Sequence, residues 1–148
     1  MRILITGSRG VLGRTLLAQW QGMHECFATE SLSIDLLNLE KLEAHFASIQ
    51  PNVVVHCAEM NSFDLCELNP NRAFLMNETA TRNIARATTA CGARLIAIST
   101  AAVFSGEQKG ELKENAPTHP KTVYGKSKFA AEKAIEQLCP NHIIARLG

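Results

Sequence analysis

Tyr124 and Lys128 are the residues whose types and spacing are best suited to acid–base chemistry in this sequence. Two residues four positions apart on a helix lie on one face, so their side chains come close together. The pKa of a phenol is ordinarily near ~10, and an adjacent ammonium favours the phenolate, so we expect Lys128 to lower the pKa of Tyr124. Tyr124 is then a candidate for donating a proton to a carbonyl oxygen. The hydroxyl of Thr100, at the end of a predicted strand, is expected to polarise the same carbonyl.

A Tyr-x-x-x-Lys pair is weak support by itself, because most such pairs belong to ordinary surface helices. Three observations favour chemistry here. Tyr124 is the only tyrosine, the preceding predicted strand ends in Ser99 and Thr100, and a glycine-rich loop opens the chain.

That loop, residues 6–13 (Thr-Gly-Ser-Arg-Gly-Val-Leu-Gly), follows an apolar strand and leads into an amphipathic helix. Gly7 permits a tight turn, Gly10 lets the backbone approach a pyrophosphate, and Gly13 lets the helix pack closely on the strand. The free N–H groups and the positive dipole end of the helix suit phosphates. A glycine-rich turn without a ligand is the alternative, but the flanking strand and helix favour a dinucleotide, NAD or NADP. The predicted contacts of the loop are Gly7, Arg9, Gly10, Val11, Leu12 and Gly13.

Two charged residues bear on the choice of dinucleotide. The guanidinium of Arg9 is suited to the 2′-phosphate of NADP, although a solvated surface arginine is the alternative. Glu30, near the end of the second predicted strand, favours the free 2′-hydroxyl of NAD. The balance slightly favours NADP. Tyr124 and Lys128 are also expected to contact the cofactor.

Apolar runs alternate with amphipathic stretches along the whole chain, which is typical of parallel strands joined by helical crossovers. Strands are predicted at residues 2–6, 26–29, 52–57, 94–99 and 142–147. Helices are predicted at about 12–20, 39–49, 70–91 and 123–138, with a loop over 105–120. The predicted fold is an α/β, doubly wound, Rossmann-type parallel sheet of five strands in the order 3-2-1-4-5. The ligand crevice is expected where the strand order reverses.

The composition excludes several other classes of protein. The chain has 148 residues, 46% hydrophobic and 20% charged, with a net charge of +1, so we expect one domain that binds neither nucleic acid nor anionic membrane. No apolar run approaches the ~20 residues of a membrane span. Five cysteines without a CxxC pair and five histidines without ligand spacing predict reduced thiols and no metal site. A cytoplasmic location is the default expectation.

The loop spacing, Gly-x-x-Gly-x-x-Gly, resembles that of the extended short-chain dehydrogenases/reductases. The resemblance is closest to the dTDP-4-dehydrorhamnose reductase family, through residues 92–96, 99–106 and 114–117 and the Tyr-Gly-Lys-Ser-Lys run at 124–128. It implies that Thr100, Tyr124 and Lys128 are catalytic. It also implies that Asp35 and Leu36 hold adenine, that Ala58 lies beneath the cofactor, and that Asn77 is the family's helix asparagine.

The resemblance implies an NAD(P)-dependent reductase that acts on the 4-keto group of a nucleotide sugar. The chain departs from the family at Met60-Asn61, Ala101-Ala102 and Ser105, so a sugar-nucleotide epimerase or dehydratase relative is an alternative. Such enzymes have roughly as much chain again, so residues 1–148 are expected to be an NAD(P)-binding domain without the substrate lobe. A non-catalytic regulatory module is the second alternative. The last strand is then an exposed edge through which copies of the chain are expected to associate.

Overall fold

The computed structural model describes residues 1–29, 34–107, 110 and 112–148. Five strands form one all-parallel sheet, with helices on both faces, which confirms the predicted α/β Rossmann-type class. None of the helices in these ranges is both long enough and apolar enough to cross a bilayer. The strands are β1 Arg2–Thr6, β2 Glu25–Thr29, β3 Val53–His56, β4 Arg94–Thr100 and β5 His142–Leu147.

The predicted strand order 3-2-1-4-5 is wrong, because the strands lie in the order β2-β1-β3-β4-β5. β3 pairs with β1 on one side and with β4 on the other. Its Val54 and Val55 are buried, as a strand that is apolar on both faces requires. The partly exposed β2 takes the edge instead. The strand order therefore reverses between β1 and β3, and the ligand crevice is expected at the carboxyl ends of these two strands.

The helices are α1 Val11–Trp20, α2 Leu39–Ile49, α3 Phe63–Leu68, α4 Pro70–Phe74, α5 Ala80–Ala90 and α6 Val123–Leu138. On one face of the sheet, α1 packs through Leu16 and Trp20 against Ile3 and Ile5 of β1. On the other face, α2, α5 and α6 surround a larger core in which Phe46 is fully buried. Each crossover thus buries an apolar helix stripe and leaves the strand ends free to form a site.

The single helix predicted over residues 70–91 is interrupted. A π-helical turn, Leu75–Thr79, lies between α4 and α5, and α3 precedes them as a short helix that the sequence analysis did not predict. A π-helical turn inserts one extra residue into a helix, and such turns are frequently found at functional sites. The inserted turn carries Asn77 inward, where it is buried.

A buried carboxylate joins α6 to the last two strands of the sheet, β4 and β5. Glu132 of α6 accepts hydrogen bonds from Ser99 of β4 at 2.5 Å and from Arg146 of β5 at 2.8 and 2.9 Å. The Arg146 guanidinium also lies over the Phe104 ring, 5.1 Å from its centroid. Because both oxygens of Glu132 are paired, the charge is accommodated in the interior. This network anchors α6, the helix that carries Tyr124 and Lys128.

Candidate active site

The glycine loop is a tight turn between β1 and α1. Gly7 has φ = +70°, and a Cβ there would lie 2.6 Å from the backbone nitrogen of Ala58. The carbonyl oxygen of Gly7 accepts a hydrogen bond from the backbone N–H of Gly10 at 3.0 Å. A Cβ at Gly13 would overlap that same carbonyl group, so only glycine lets α1 start this close to the loop. The predicted roles of Gly7 and Gly13 in the turn and the packing therefore agree with the geometry.

A cavity of about 770 Å³ opens above this loop, within the usual range for ligand and cofactor pockets. Apolar groups from the segment after β2 line one end, and Glu59 and Asn61, which follow β3, line another part. The cavity brings together most of the predicted cofactor residues: Gly7, Arg9, Gly10, Val11, Leu12, Gly13, Asp35, Leu36 and Ala58. Glu30 lies outside the described residues.

The hydroxyl of Ser8 gives an independent indication of what this cavity binds. Its Oγ is buried, lies in the glycine loop beside the cavity, and has no hydrogen-bond partner among the described residues. A buried polar atom left unpaired is costly, and a phosphate oxygen would satisfy it. The loop therefore fits the pyrophosphate of a dinucleotide. Sequence reasoning passed over Ser8, although a hydroxyl inside a glycine loop was a usable signal.

Asp35 and Leu36, which line the cavity, are held in a defined turn. The carboxylate of Asp35 accepts a hydrogen bond from the Leu37 backbone at 2.9 Å. The amide of Asn83 donates to the carbonyl oxygens of Leu36 and Leu37, both at 3.1 Å. This turn presents a carboxylate and apolar side chains to the cavity, which suits a planar base and its ribose hydroxyls.

Tyr124, Lys128 and Thr100 come together, as predicted, but a fourth residue joins them. The Tyr124 hydroxyl donates to Oε2 of Glu59 at 3.2 Å, and Nζ of Lys128 lies 2.9 Å from the same oxygen. Lys128 also donates to the carbonyl oxygen of Ile98 at 2.8 Å. The hydroxyl of Thr100 hydrogen-bonds Tyr124 and accepts from the backbone of Ala102 at 3.1 Å. The Tyr124 ring packs against Phe63 of α3, with centroids 4.9 Å apart.

The pKa of Tyr124 is raised, so the expectation that Lys128 lowers it is wrong for this arrangement. Burial of the phenol is the largest cause, and the charge of the Glu59 carboxylate is the next. The hydrogen bond from Thr100 acts in the opposite direction. Because Lys128 pairs with Glu59, the negative carboxylate largely offsets the effect of the Lys128 charge on the pKa of Tyr124. Sequence reasoning missed Glu59, whose signal was a carboxylate shortly after an apolar strand that ends at the crevice.

Asn77 does not line the cavity but supports the site from behind. Its side chain accepts from the backbone N–H of Met60 at 2.7 Å and donates to the carbonyl oxygen of Met60 at 3.0 Å. It also donates to Ser127 of α6 at 3.0 Å. Asn77 thus fixes the segment after β3, which carries Glu59, against the helix that carries Tyr124.

His56 and Cys57, at the end of β3, are packed rather than reactive. His56 lies between the hydroxyls of Thr6 at 2.7 Å and Thr81 at 2.9 Å, and burial followed by the charge of Lys128 lowers its pKa to about 3. Burial raises the pKa of the Cys57 thiol to about 11. Both groups are therefore neutral near neutral pH. The described part of the chain holds no group of three or more His, Cys, Asp or Glu side chains placed to bind a metal ion.

A Rossmann-type sheet with a glycine loop at its switch point and a Tyr–Lys pair on the helix after β4 defines a short-chain dehydrogenase/reductase domain. The sequence model of the family described as RmlD substrate binding domain matches residues 1–148, and the chain belongs to that family. The resemblance to the dTDP-4-dehydrorhamnose reductases is therefore confirmed.

Three similar proteins illustrate the relationship. The dTDP-4-dehydrorhamnose reductase of Aggregatibacter actinomycetemcomitans is 35% identical over 147 residues, which cover 98% of this chain and 50% of that protein. Methionine adenosyltransferase 2 subunit beta of Rattus norvegicus is 34% identical, over 90% of this chain and 42% of its own length. A Bacillus anthracis dTDP-4-dehydrorhamnose reductase solved in complex with NADP has a TM-score of 0.94 at 29% identity, covering 98% of this chain and 52% of its own. The chain thus spans about half the length of these relatives.

Proposed function

We propose that residues 1–148 are the NAD(P)-binding domain of a reductase that acts on the 4-keto group of a nucleotide sugar, of the dTDP-4-dehydrorhamnose reductase type. The observation that carries this proposal is the cavity that runs from the glycine loop to Glu59, the residue that contacts both Tyr124 and Lys128. The printed names of the relatives and the NADP complex of the Bacillus anthracis protein support it.

Different residues of the cavity would bind different parts of the dinucleotide. Gly10, the unpaired hydroxyl of Ser8 and the N-terminus of α1 would hold the pyrophosphate. Asp35 and Leu36 would hold the adenosine end. Arg9 lines the same cavity, and a guanidinium there suits the 2′-phosphate of NADP, which is why we favour NADP over NAD.

The nicotinamide, when bound, would supply the hydride for carbonyl reduction. As the carbon–hydrogen bond forms, negative charge develops on the substrate oxygen, and Tyr124 would donate its hydroxyl proton there. The hydroxyl of Thr100 would stabilise the same oxygen and the tyrosinate left behind, which solvent then reprotonates. Two of the three N–H groups of Lys128 are directed to Glu59 and Ile98, so one remains for a ribose hydroxyl.

The second candidate function is a regulatory module that keeps the cofactor site without turnover. The identity with the methionine adenosyltransferase subunit favours it, because that protein is named as a subunit of another enzyme. The alanines at 101 and 102, after Thr100, also favour it, since substrate-facing polar groups of the reductases are missing there. An epimerase or dehydratase would share the Tyr124–Lys128 pair and differ in the substrate it turns over.

Oxidation of NADPH and NADH in the presence of a dTDP-linked 4-keto-6-deoxy sugar tests the proposal. The assay uses this chain and any longer natural version, each with and without the Tyr124→Phe substitution. We expect turnover by the longer version and weak turnover or none by the 148-residue chain. Loss of a general acid costs ~10²–10⁴-fold in rate, so Tyr124→Phe should nearly abolish turnover while cofactor binding persists.

Two outcomes would contradict the reductase proposal. Equal turnover by Tyr124→Phe in the longer version would exclude Tyr124 as the acid. Cofactor binding without turnover of any keto-sugar nucleotide by either version would leave the regulatory module in its place.

A further inference from the structure

Glu59 is the residue through which the Tyr124–Lys128 pair meets the cavity. It lies in the segment that follows β3 and lines the cavity. Its two partners, Tyr124 and Lys128, are more deeply buried. The side chain of Lys128 is 5% exposed and that of Glu59 is 19% exposed. A single oxygen, Oε2, lies 3.2 Å from the Tyr124 hydroxyl and 2.9 Å from Nζ of Lys128.

Sharing one carboxylate oxygen has two physical consequences. The phenol proton is directed to an acceptor that also carries negative charge, so ionising Tyr124 would place two anions about 3 Å apart. The ammonium of Lys128 is held by a partner of opposite charge at a site with little solvent, where charge interactions are poorly screened. Lys128 therefore cannot act on Tyr124 as an unpaired cation would.

The other groups around the phenol do not change this balance. Thr100 contributes an uncharged hydroxyl. Cys66 of α3 lies in the same buried cluster as Tyr124, and burial raises the pKa of its thiol, so it is uncharged near neutral pH. Glu67 of α3 accepts from the backbone of Val123 at 2.7 Å at the start of α6. Glu59 is thus the only anion with a hydrogen bond to the Tyr124 hydroxyl among the described residues.

We propose that Glu59 is a positioning residue that holds Tyr124 as a neutral phenol, with the hydroxyl proton directed to its carboxylate and Lys128 paired to the same oxygen. The inference rests on the proposed function, since it names the residue that sets the protonation state of the proposed proton donor, Tyr124. The phenolate of Tyr124 is disfavoured beside the Glu59 carboxylate, whichever step forms it.

Alkaline titration of the near-ultraviolet absorbance of tyrosinate tests this, because Tyr124 is the only tyrosine and the signal belongs to it alone. The comparison is between the wild type, Glu59→Gln and a control, Glu43→Gln, which removes an exposed carboxylate from α2. Circular dichroism defines the pH range in which each protein stays folded. We expect no tyrosinate from the folded wild type or the control. In Glu59→Gln, tyrosinate should form at a pH about one unit or more below that of the wild type. This difference corresponds to a tyrosinate fraction about tenfold larger at a given pH.

Two results would overturn the proposal. One is a Glu59→Gln titration that matches the control over the folded range. The other is wild-type tyrosinate that forms at or below pH ~10, the ordinary value, which decides the matter even if the variant does not fold. Neither measurement uses cofactor or substrate, so the reductase proposal can fail while this one stands, and the reverse also holds.

Discussion

His56 is a buried histidine whose two ring nitrogens are each paired with a threonine hydroxyl. A neutral imidazole satisfies this arrangement, because it donates through one nitrogen and accepts through the other. Burial and the nearby charge of Lys128 lower its pKa from the ordinary value of 6.5 to about 3. His56 therefore stays neutral in the folded chain where it would be charged in the unfolded chain.

We predict that this difference makes the fold sensitive to acid. Below about pH 6.5 the unfolded chain takes up a proton at His56 that the folded chain does not take up until about pH 3. The unfolded state then binds more protons, so the free energy of unfolding falls as the pH decreases through that window. His56→Asn removes this contribution, and its free energy of unfolding should fall less steeply, by up to about 1.4 kcal/mol per pH unit. Denaturant titrations at several pH values measure it, and parallel wild-type and variant curves would contradict it.

Arg9 is the residue that we expect to choose between NADP and NAD. Arg9→Ala should weaken NADP binding by ~1–2 kcal/mol more than NAD binding, the loss of a charge-assisted hydrogen bond. Arg14→Ala, an exposed arginine of α1 that does not line the cavity, is the matched control. Affinities from fluorescence titration give both values. Equal losses for the two cofactors would show that Arg9 does not contact the 2′-phosphate.

At the scale of the element, the turn from β1 to α1 separates two roles of glycine. A Cβ at Gly10 would approach the Gly7 carbonyl oxygen at 3.3 Å, which small shifts relieve, whereas a Cβ at Gly13 would overlap the Gly7 backbone. We expect Gly10→Ala to keep the wild-type stability and lose cofactor affinity, because its methyl group fills the pyrophosphate's approach. Gly13→Ala should lower the free energy of unfolding by about 1–3 kcal/mol.

Thermal unfolding with and without NADP separates these two effects. Gly22→Ala is the control, since no atom lies within 4 Å of a Cβ at that position. If Gly10→Ala binds NADP as the wild type does, the loop does not hold the pyrophosphate as proposed.

The elements show what the sequence pattern could predict. The apolar runs of β1, β3 and β4 and the amphipathic stretches of α2 and α6 are local signals, and the structure has these elements within a few residues of the prediction. The strand order was not predictable in the same way, because it depends on which strand pairs with β1 across the chain. The buried Val54 and Val55 are a local signal for a central strand, but they do not say which strands lie on either side of it.

The residues of the site show the same limit of prediction from local sequence patterns. Tyr124, Lys128 and Thr100 were predictable from spacing and strand ends. Glu59 was predictable only as a carboxylate that follows an apolar strand, because its contacts with the pair join segments up to 65 residues apart in sequence. The π-helical turn around Asn77 is likewise set by contacts with Met60 and Ser127, which no local pattern encodes.

At the scale of the whole molecule, β5 forms one edge of the sheet, opposite β2. Its Ile143 and Leu147 are 47% and 49% exposed, and the outer backbone groups of an edge strand are free to pair with another strand. Copies of the chain are therefore predicted to associate through β5. Sedimentation of the wild type and of Ile143→Lys would show whether the association depends on this edge.

The central claim is that the cavity above the glycine loop binds a nicotinamide dinucleotide, and the melting temperature with added cofactor tests it most directly. A ligand present at 100 times its Kd stabilises the folded state by about 2.7 kcal/mol. For a chain of this size that corresponds to a rise of several degrees. We expect this rise with NADPH, a smaller one with NADH, and none with either in Gly10→Val. An unchanged melting temperature of the wild type at millimolar concentrations of both cofactors would contradict the account.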